Sequence, residues 1–184
     1  MTAHKLDQLK TGAAGTIGIS PGARAAPEPG RYEIDTRCSA ITFGTRHMFG
    51  LATVRGSFTI RAGTVDVTGP DPAVYAQIEV ASFRTGNPQR DGNVRSARLL
   101  DAGQYPVMTF RSEHLDGPVL AGTLTVRDVT RPVSLLIVQS AVSSESFTAR
   151  ATTRIDRAEF GVTAYRGLAG RYLDMTVEVR CVRN

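Results

Sequence analysis

Apolar and polar residues alternate with a period of two along most of the chain after Arg31, which predicts half-buried β-strands. Gly, Pro and Asp residues typical of turns separate the alternating segments. The alternating segments begin near Ile41, Val54, Val74, Leu120, Val133, Phe147 and Met175. A further strand is predicted from Pro106 onward. The pattern therefore predicts about eight consecutive antiparallel strands.

One segment departs from this alternation. Residues 87–100 place Val94, Ala97 and either Leu99 or Leu100 at helical spacing. Asn87 suits a helix cap, and Pro88 suits the first helical position. The sequence therefore predicts a single short helical insert between two strands.

Strands with one apolar face must hide that face in a two-sheet sandwich or in a closed barrel. The expected inward positions mix large residues with small ones. The small residues are Gly56, Ala76, Gly122, Ala149 and Ala151. This mixture fits either a tapered, filled interior or a hollow one, and the pattern alone leaves both open.

Residues 1–30 are rich in Gly, Ala and Pro and hold few large apolar groups, so they are predicted to be a flexible tail before a domain at 31–184. The tail lacks the continuous apolar core of a secretion signal. We therefore expect a cytoplasmic protein with reduced thiols.

Composition removes several classes of protein. Of 184 residues, 41% are hydrophobic, which is too many for a disordered chain. The net charge of +5 comes from 22 basic against 17 acidic residues, but the arginines are scattered, so no nucleic-acid interface is predicted. The histidines and the two cysteines, Cys38 and Cys181, are isolated, so no metal site is predicted. Both cysteines are expected to be small buried hydrophobes, and a bond between them is kept open as the alternative.

Several motifs carry a family resemblance. Residues 32–35, 39–47 and 54–58 resemble the opening of the YceI-like, polyisoprenoid-binding family. Residues 90–96 and 105–112 resemble its "R-D-x-x-L-R-S" and "Y-P-x-x-x-F-x-S" signature, although Asn93 stands where the family usually has His. Residues 122–133 are similar to its "G-x-L-T-x-x-G-V-T-x-P-V" block, and residues 159–162 to its "x-F-G-V" segment. The resemblance covers about residues 31–183.

The resemblance implies an all-β fold, namely an eight-stranded antiparallel lipocalin-like barrel with a short helical insert. It also implies non-catalytic binding of an isoprenoid lipid, either a polyprenyl phosphate or an isoprenoid quinone, for carriage, storage or sensing. No other cofactor and no metal are implied. A homodimer is kept open as the assembly.

Two sets of candidate ligand-binding residues follow from this resemblance. The candidates for lining the interior are Phe43, Phe49, Phe58, Tyr105 and Phe110. The candidates near a head group are Arg46, His47, Arg90, Asp91 and Arg95. Arginine suits a phosphate because its planar fork makes two charge-assisted hydrogen bonds. Each candidate also has a structural interpretation, as packing or as an ion pair such as Arg90 with Asp91.

Two other functions stay open at this point. A filled barrel would act as a protein-interaction module. A small hydrolase would need Ser96, Asp91 and His47 to converge, but the chain has no "G-x-S-x-G" elbow. We therefore expect a binding protein and not an enzyme.

Overall fold

The computed structural model describes residues 26–47, 52–165 and 169–184. Its regular elements are β1 (Arg31–Ile34), β2 (Ala40–His47), β3 (Ala52–Asp66), β4 (Ala73–Arg84), α1 (Pro88–Arg95), β5 (Val107–Asp116), β6 (Val119–Val126), β7 (Val129–Val142), β8 (Ser146–Asp156), a 3₁₀ turn (Arg157–Phe160) and β9 (Tyr172–Arg183).

The strands form one antiparallel sheet that closes on itself. The order is β3-β2-β9-β8-β7-β6-β5-β4, and β4 pairs back with β3, which gives a barrel of eight strand positions. Strand β1 lies between β3 and β9, where Tyr32 pairs with Val65 and Ile34 pairs with Cys181. Strands β1 and β2 therefore share one position in the barrel, because both pair with β3 and β9, each along a different part of these two strands. The predicted eight-stranded barrel with a helical insert is confirmed, with β1 as one additional short strand.

Because the strands alternate in direction, their connections fall at two opposite ends of the barrel. One end carries α1, the β6–β7 turn and the 3₁₀ turn, and is called the α1 end. The other carries the β3–β4, β5–β6 and β7–β8 connections together with residues 26–30, and is called the far end.

Aromatic rings fill the space beside the inward-facing glycines. Phe43 lies opposite Gly56 in the β2–β3 register, and a Cβ added to Gly56 would collide with the Phe43 ring. A Cβ on Gly122 would likewise meet the ring of Phe110, 2.8 Å away. Phe43 also stacks on Phe83 with 5.4 Å between ring centroids. The space beside these two glycines is therefore occupied by the rings of Phe43 and Phe110, so the glycines leave no empty space there.

Helix α1 begins as predicted. The Asn87 side chain accepts a hydrogen bond of 3.0 Å from the backbone N–H of Arg90, and Pro88 is the first helical residue. The helix ends at Arg95, earlier than the predicted residue 100, because Ser96 is extended, with φ −70° and ψ 166°. Leu99 and Leu100 lie in the turns that follow the helix, and both are buried.

The first described residues of the predicted tail contact the far end of the barrel. The hydroxyl of Tyr32 donates to the carbonyl of Glu28 at 2.7 Å, and the N–H of Val67 donates to the carbonyl of Gly30 at 2.9 Å. The predicted flexibility of residues 1–25 concerns residues outside the described part, and the domain boundary at residue 31 stays a prediction.

The two cysteines have different environments. Cys181 is 0% exposed in β9, and burial raises the pKa of its thiol to about 12. Cys38 follows β1 and is exposed, so the expectation that both thiols are buried is wrong for Cys38. Its position in the connection between β1 and β2 places it outside the alternating pattern that buries Cys181. Both cysteines are unpaired.

The 3₁₀ turn at the α1 end depends on Asp156. Its carboxylate accepts a hydrogen bond of 2.9 Å from the N–H of Ala158 and one of 2.8 Å from Nε of Arg171. The hydrogen bond from Arg171, followed by that from Ala158, holds the pKa of the Asp156 carboxyl below its ordinary value of 3.8. This carboxylate therefore stabilises the fold only while it is ionised.

We expect this stabilisation to be complete at pH values above 3.8 and to be lost as the pH falls further, through the lowered pKa of the folded state. Asp156→Asn keeps a capping oxygen but removes the charge, so it should flatten the fall in the free energy of unfolding below that pH. Asp156→Ala also removes the cap and should cost about 1 kcal/mol more at neutral pH. Urea denaturation across the acid range measures both effects, and an acid slope of Asp156→Asn equal to that of the wild type would contradict this role.

Candidate functional site

An elongated apolar cavity of about 900 Å³ runs along the axis of the barrel. Every strand contributes to its wall, from Ile34 on β1 to Val179 on β9. Residues at both ends of the barrel also border it, such as Pro118 at the far end and Asn93 at the α1 end. The interior is therefore hollow, which the alternation of large and small residues left undecided.

The two sides of the cavity differ in how tightly they are packed. On the β2–β5 side, the rings of Phe43, Phe58 and Phe110 are buried. On the β7–β9 side, inward-facing aliphatic side chains such as Leu135 and Val177 remain partly accessible although they face the interior. Their accessible surface faces the empty space of the cavity. The space for a ligand thus lies mainly against β7, β8 and β9.

The two ends of the cavity differ in polarity. Asn87, Gln89, Arg90 and Asn93 border it at the α1 end, where they offer amide and guanidinium groups. The far end is mostly apolar. It is bordered by Pro27, Pro70, Pro72, Leu115 and Pro118. A ligand with an apolar chain and one polar head group is matched by this arrangement in a single orientation.

The structure brings only some of the sequence-predicted residues to this cavity. Those that line it are Phe43, Phe58, Phe110 and Arg90. Phe49 lies outside the described residues. His47 is the last residue of β2, and its backbone pairs with Ala52. The ligand roles proposed for all ten candidates stay predictions.

The other candidates lie elsewhere among the described residues. Arg46 is exposed at the end of β2. Tyr105 packs beside Arg127, whose guanidinium carbon lies 5.4 Å from the centroid of the Tyr105 ring. Asp91 and Arg95 are on α1 but are used to hold that helix in place. None of these four is among the described residues that line the cavity.

Arg95 fixes α1 to strand β4, and Asp91 fixes it to Thr85, the residue that follows β4. The Asp91 carboxylate, 5% exposed, accepts hydrogen bonds from the N–H and the hydroxyl of Thr85 at 3.0 and 2.6 Å. Arg95 donates from Nε to the carbonyl of Asp91 at 3.0 Å and from Nη1 to the carbonyl of Ala81 at 3.2 Å. The Asp91 carboxylate thus bonds to Thr85, whereas the sequence suggested an ion pair with Arg90. These contacts position Arg90 at the cavity.

We expect Asp91→Ala to lower the free energy of unfolding by about 1–3 kcal/mol, because it leaves the N–H and hydroxyl of Thr85 without this acceptor in a part-buried position. Asp91→Asn keeps one accepting oxygen and should cost clearly less. Chemical denaturation midpoints of the two variants provide the measurement. Equal midpoints for Asp91→Ala and the wild type would show that the Asp91–Thr85 contact does not hold α1.

Sequence reasoning missed Arg157. It borders the cavity at the α1 end, and its guanidinium donates to the backbone carbonyls of Gly170 at 2.8 Å and Ala169 at 3.2 Å. It closes the connection between the 3₁₀ turn and β9. No local motif marks the contacts with Gly170 and Ala169, because these residues lie about a dozen positions away in the chain.

Two further findings concern chemistry within the described residues. The Ser96 hydroxyl donates to the carbonyl of Asn93 at 2.7 Å, and the Asp91 carboxylate is bonded to Thr85, so neither is directed to the other as a hydrolase would require. No group of three or more His, Cys, Asp or Glu side chains in the described ranges could hold a metal ion. No helix among these residues is long and apolar enough to cross a membrane.

An antiparallel barrel of eight strand positions, with an axial apolar cavity and one polar end, defines a lipocalin-like ligand-binding barrel. Residues 32–182 match the model of the YceI-like domain, and the chain belongs to this family. It is 26% identical to a UPF0312 protein of Vibrio parahaemolyticus over 194 residues, which covers 97% of this chain and 99% of that protein. It is 29% identical to a UPF0312 protein of Serratia proteamaculans over 184 residues, covering 92% and 94%.

Two solved structures share the fold. BcnA of Burkholderia cenocepacia has a TM-score of 0.68 at 20% identity and covers 80% of this chain and 98% of its own. A polyisoprenoid binding domain from Saccharophagus degradans, implicated in plant cell wall breakdown, has a TM-score of 0.68 at 16% identity and covers 83% and 98%.

Proposed function

We propose that this chain binds an isoprenoid lipid in the axial cavity, with the chain along the barrel and the head group at the α1 end. The observation that carries the proposal is an apolar cavity of about 900 Å³ that spans the barrel and has amide and guanidinium groups mainly at one end. The polyisoprenoid-binding domain of Saccharophagus degradans, which shares the fold, supports the choice of lipid.

The volume of the cavity sets the size of the ligand. If each non-hydrogen atom needs roughly the ~30 Å³ that a water molecule occupies in the liquid, the cavity holds about 30 such atoms. At ~0.3 kcal/mol for each atom of a large ligand, the gain is ~9 kcal/mol, equivalent to a submicromolar dissociation constant. Burial of the chain alone is therefore sufficient for useful affinity.

The head group would contact Arg90. This residue is half-buried at the end of the cavity, with Gln89 and Asn93 on the same short helix and Asn87 at its cap. The guanidinium fork suits the oxygens of a phosphate, and the amides suit either a phosphate or a quinone carbonyl. We favour a polyprenyl phosphate because its negative charge would pair with the Arg90 guanidinium. A neutral quinone would offer this group no counter-charge.

The cavity favours binding over a filled barrel that acts as an interaction module, since a filled interior would leave no continuous space. A non-catalytic role in carriage, storage or sensing and a cytoplasmic location stay predictions, and a homodimer stays open as the assembly.

A series of prenols of increasing chain length tests the proposal. We expect the affinity measured by fluorescence competition to rise with each isoprene unit and to level off near about 30 carbons, where the cavity is full. An n-alkanol series of matched carbon number is the control for general hydrophobicity. Failure of every prenol to bind, or affinities that ignore chain length, would overturn the proposal.

A further inference from the structure

The wall of the barrel is split between β7 and β8 at the α1 end. Among the described residues, the last pair in the β7–β8 ladder towards that end is Leu136 with Thr152. Residues 129–135 of β7 continue beyond this pair and bond to β6, and residues 153–156 of β8 continue and bond to β9. The two strands therefore separate from about mid-barrel to the rim.

Pro132 lies four residues beyond this last pair, where it disfavours any return of β7–β8 pairing near the rim. It lies within β7, and its register with Thr123 of β6 is uninterrupted. Proline has no N–H to donate, so within a strand it is accepted only where its nitrogen faces away from a ladder. In β7 that direction is towards β8. The residue thus removes a donor from the edge that β8 would need.

A groove on the outer surface follows this split and adjoins the axial cavity. Five residues border both spaces, among them Val133 on β7, Ile155 on β8 and Phe160 in the 3₁₀ turn. Phe160 is only 3% exposed, and the 3₁₀ turn packs against β7 at the α1 end of the split. Side chains, not main-chain hydrogen bonds, therefore separate the cavity from solvent at this place.

The outer face beside the split is unusually apolar. Leu136 and Val138 on β7 are 43% and 39% exposed, at positions where a strand facing water normally carries polar side chains. They lie at the point where the split begins. An apolar chain that reaches the split from outside would meet them first.

We propose that the β7–β8 split is the lateral access route by which the apolar chain of the lipid enters and leaves the cavity. This inference rests on the proposed function. The split reaches the α1 end, so a lipid can move in sideways while its head group stays near Arg90 and the chain avoids being threaded through an end. Widening the wall at this place breaks no interstrand ladder, whereas widening it between paired strands would.

The test is a chemical bridge across the split. In a Cys38→Ser background, Ser134→Cys with Arg154→Cys places one exposed thiol on each side, and a short bismaleimide joins them. The bridge at the split should slow both uptake and release of a fluorescent prenol about tenfold and leave its dissociation constant unchanged, since a route alters rates in both directions equally. Cys181 is fully buried and does not compete for the reagent.

A second pair controls for stiffening of the barrel. Ala141→Cys with Thr148→Cys joins two exposed residues that are already paired in the same ladder, and its bridge should leave both rates unchanged. Unchanged rates with the bridge at the split, or equal slowing by the two bridges, would overturn the lateral route. Absence of prenol binding by the unbridged protein would instead overturn the proposed function.

Discussion

Ala149→Trp should weaken binding of a long prenol about a hundredfold without unfolding the barrel. Ala149 lies on β8 and lines the axial cavity on its loosely packed side. The indole adds nine non-hydrogen atoms, and displacing as many ligand atoms at ~0.3 kcal/mol each removes ~2.7 kcal/mol of binding free energy. A fluorescence titration with the same prenol measures the loss.

The stability of this variant separates a hollow barrel from a filled one. In a well-packed core, an added indole would cost about 1–3 kcal/mol through strain. In the hollow barrel it occupies empty space, so the free energy of unfolding should change by less than about 1 kcal/mol. Thr148→Trp places the same side chain on the exposed outer face of β8 and should leave both binding and stability unchanged. Strong destabilisation by Ala149→Trp, or full binding by it, would contradict a ligand in this space.

Arg90→Ala should weaken binding of a prenyl phosphate about ten- to a hundredfold while changing that of the neutral prenol less than about twofold. The difference corresponds to a hydrogen bond between charged groups, which contributes about 1.5–3 kcal/mol. Arg90 is the arginine of α1 that borders the cavity, whereas Arg95 bonds to backbone carbonyls. Parallel titrations with the two ligands give the ratio.

Arg61→Ala is the matched control for this substitution. Arg61 is exposed on β3, so its removal lowers the net charge equally without altering the α1 end. It should leave the affinity for both ligands within about twofold. Equal losses for phosphate and prenol in Arg90→Ala would show that Arg90 supports the fold and does not contact the head group.

The strand content was predictable because a half-buried strand leaves a period-two record. The alternation at residues 41–47 and 54–60 corresponds to β2 and β3. Strand β1 escaped this reading because its four residues hold only two inward positions, Tyr32 and Ile34. The start of α1 was predictable from Asn87 and Pro88, but its end depended on how Leu99 and Leu100 are buried.

The candidate site was less predictable, since it depends on contacts between distant residues. Sequence placed Arg90, Asp91 and Arg95 together, but only the fold separates the cavity-lining Arg90 from the two residues that anchor α1. Hollowness is likewise a property of the closed barrel, because the same alternation serves a filled interior. The β7–β8 split is likewise visible only in the fold, because the direction of the missing Pro132 donor is known only from its register with β6.

The central claim is that the axial cavity holds an isoprenoid lipid. The protein purified from its own host under native conditions can be extracted with organic solvent, and the extract analysed by mass spectrometry against an equal extract of Ala149→Trp. We expect a stoichiometric isoprenoid from the wild type and much less from the variant. Repeated recovery of the wild type without lipid, together with no uptake of added prenol or prenyl phosphate, would contradict the claim.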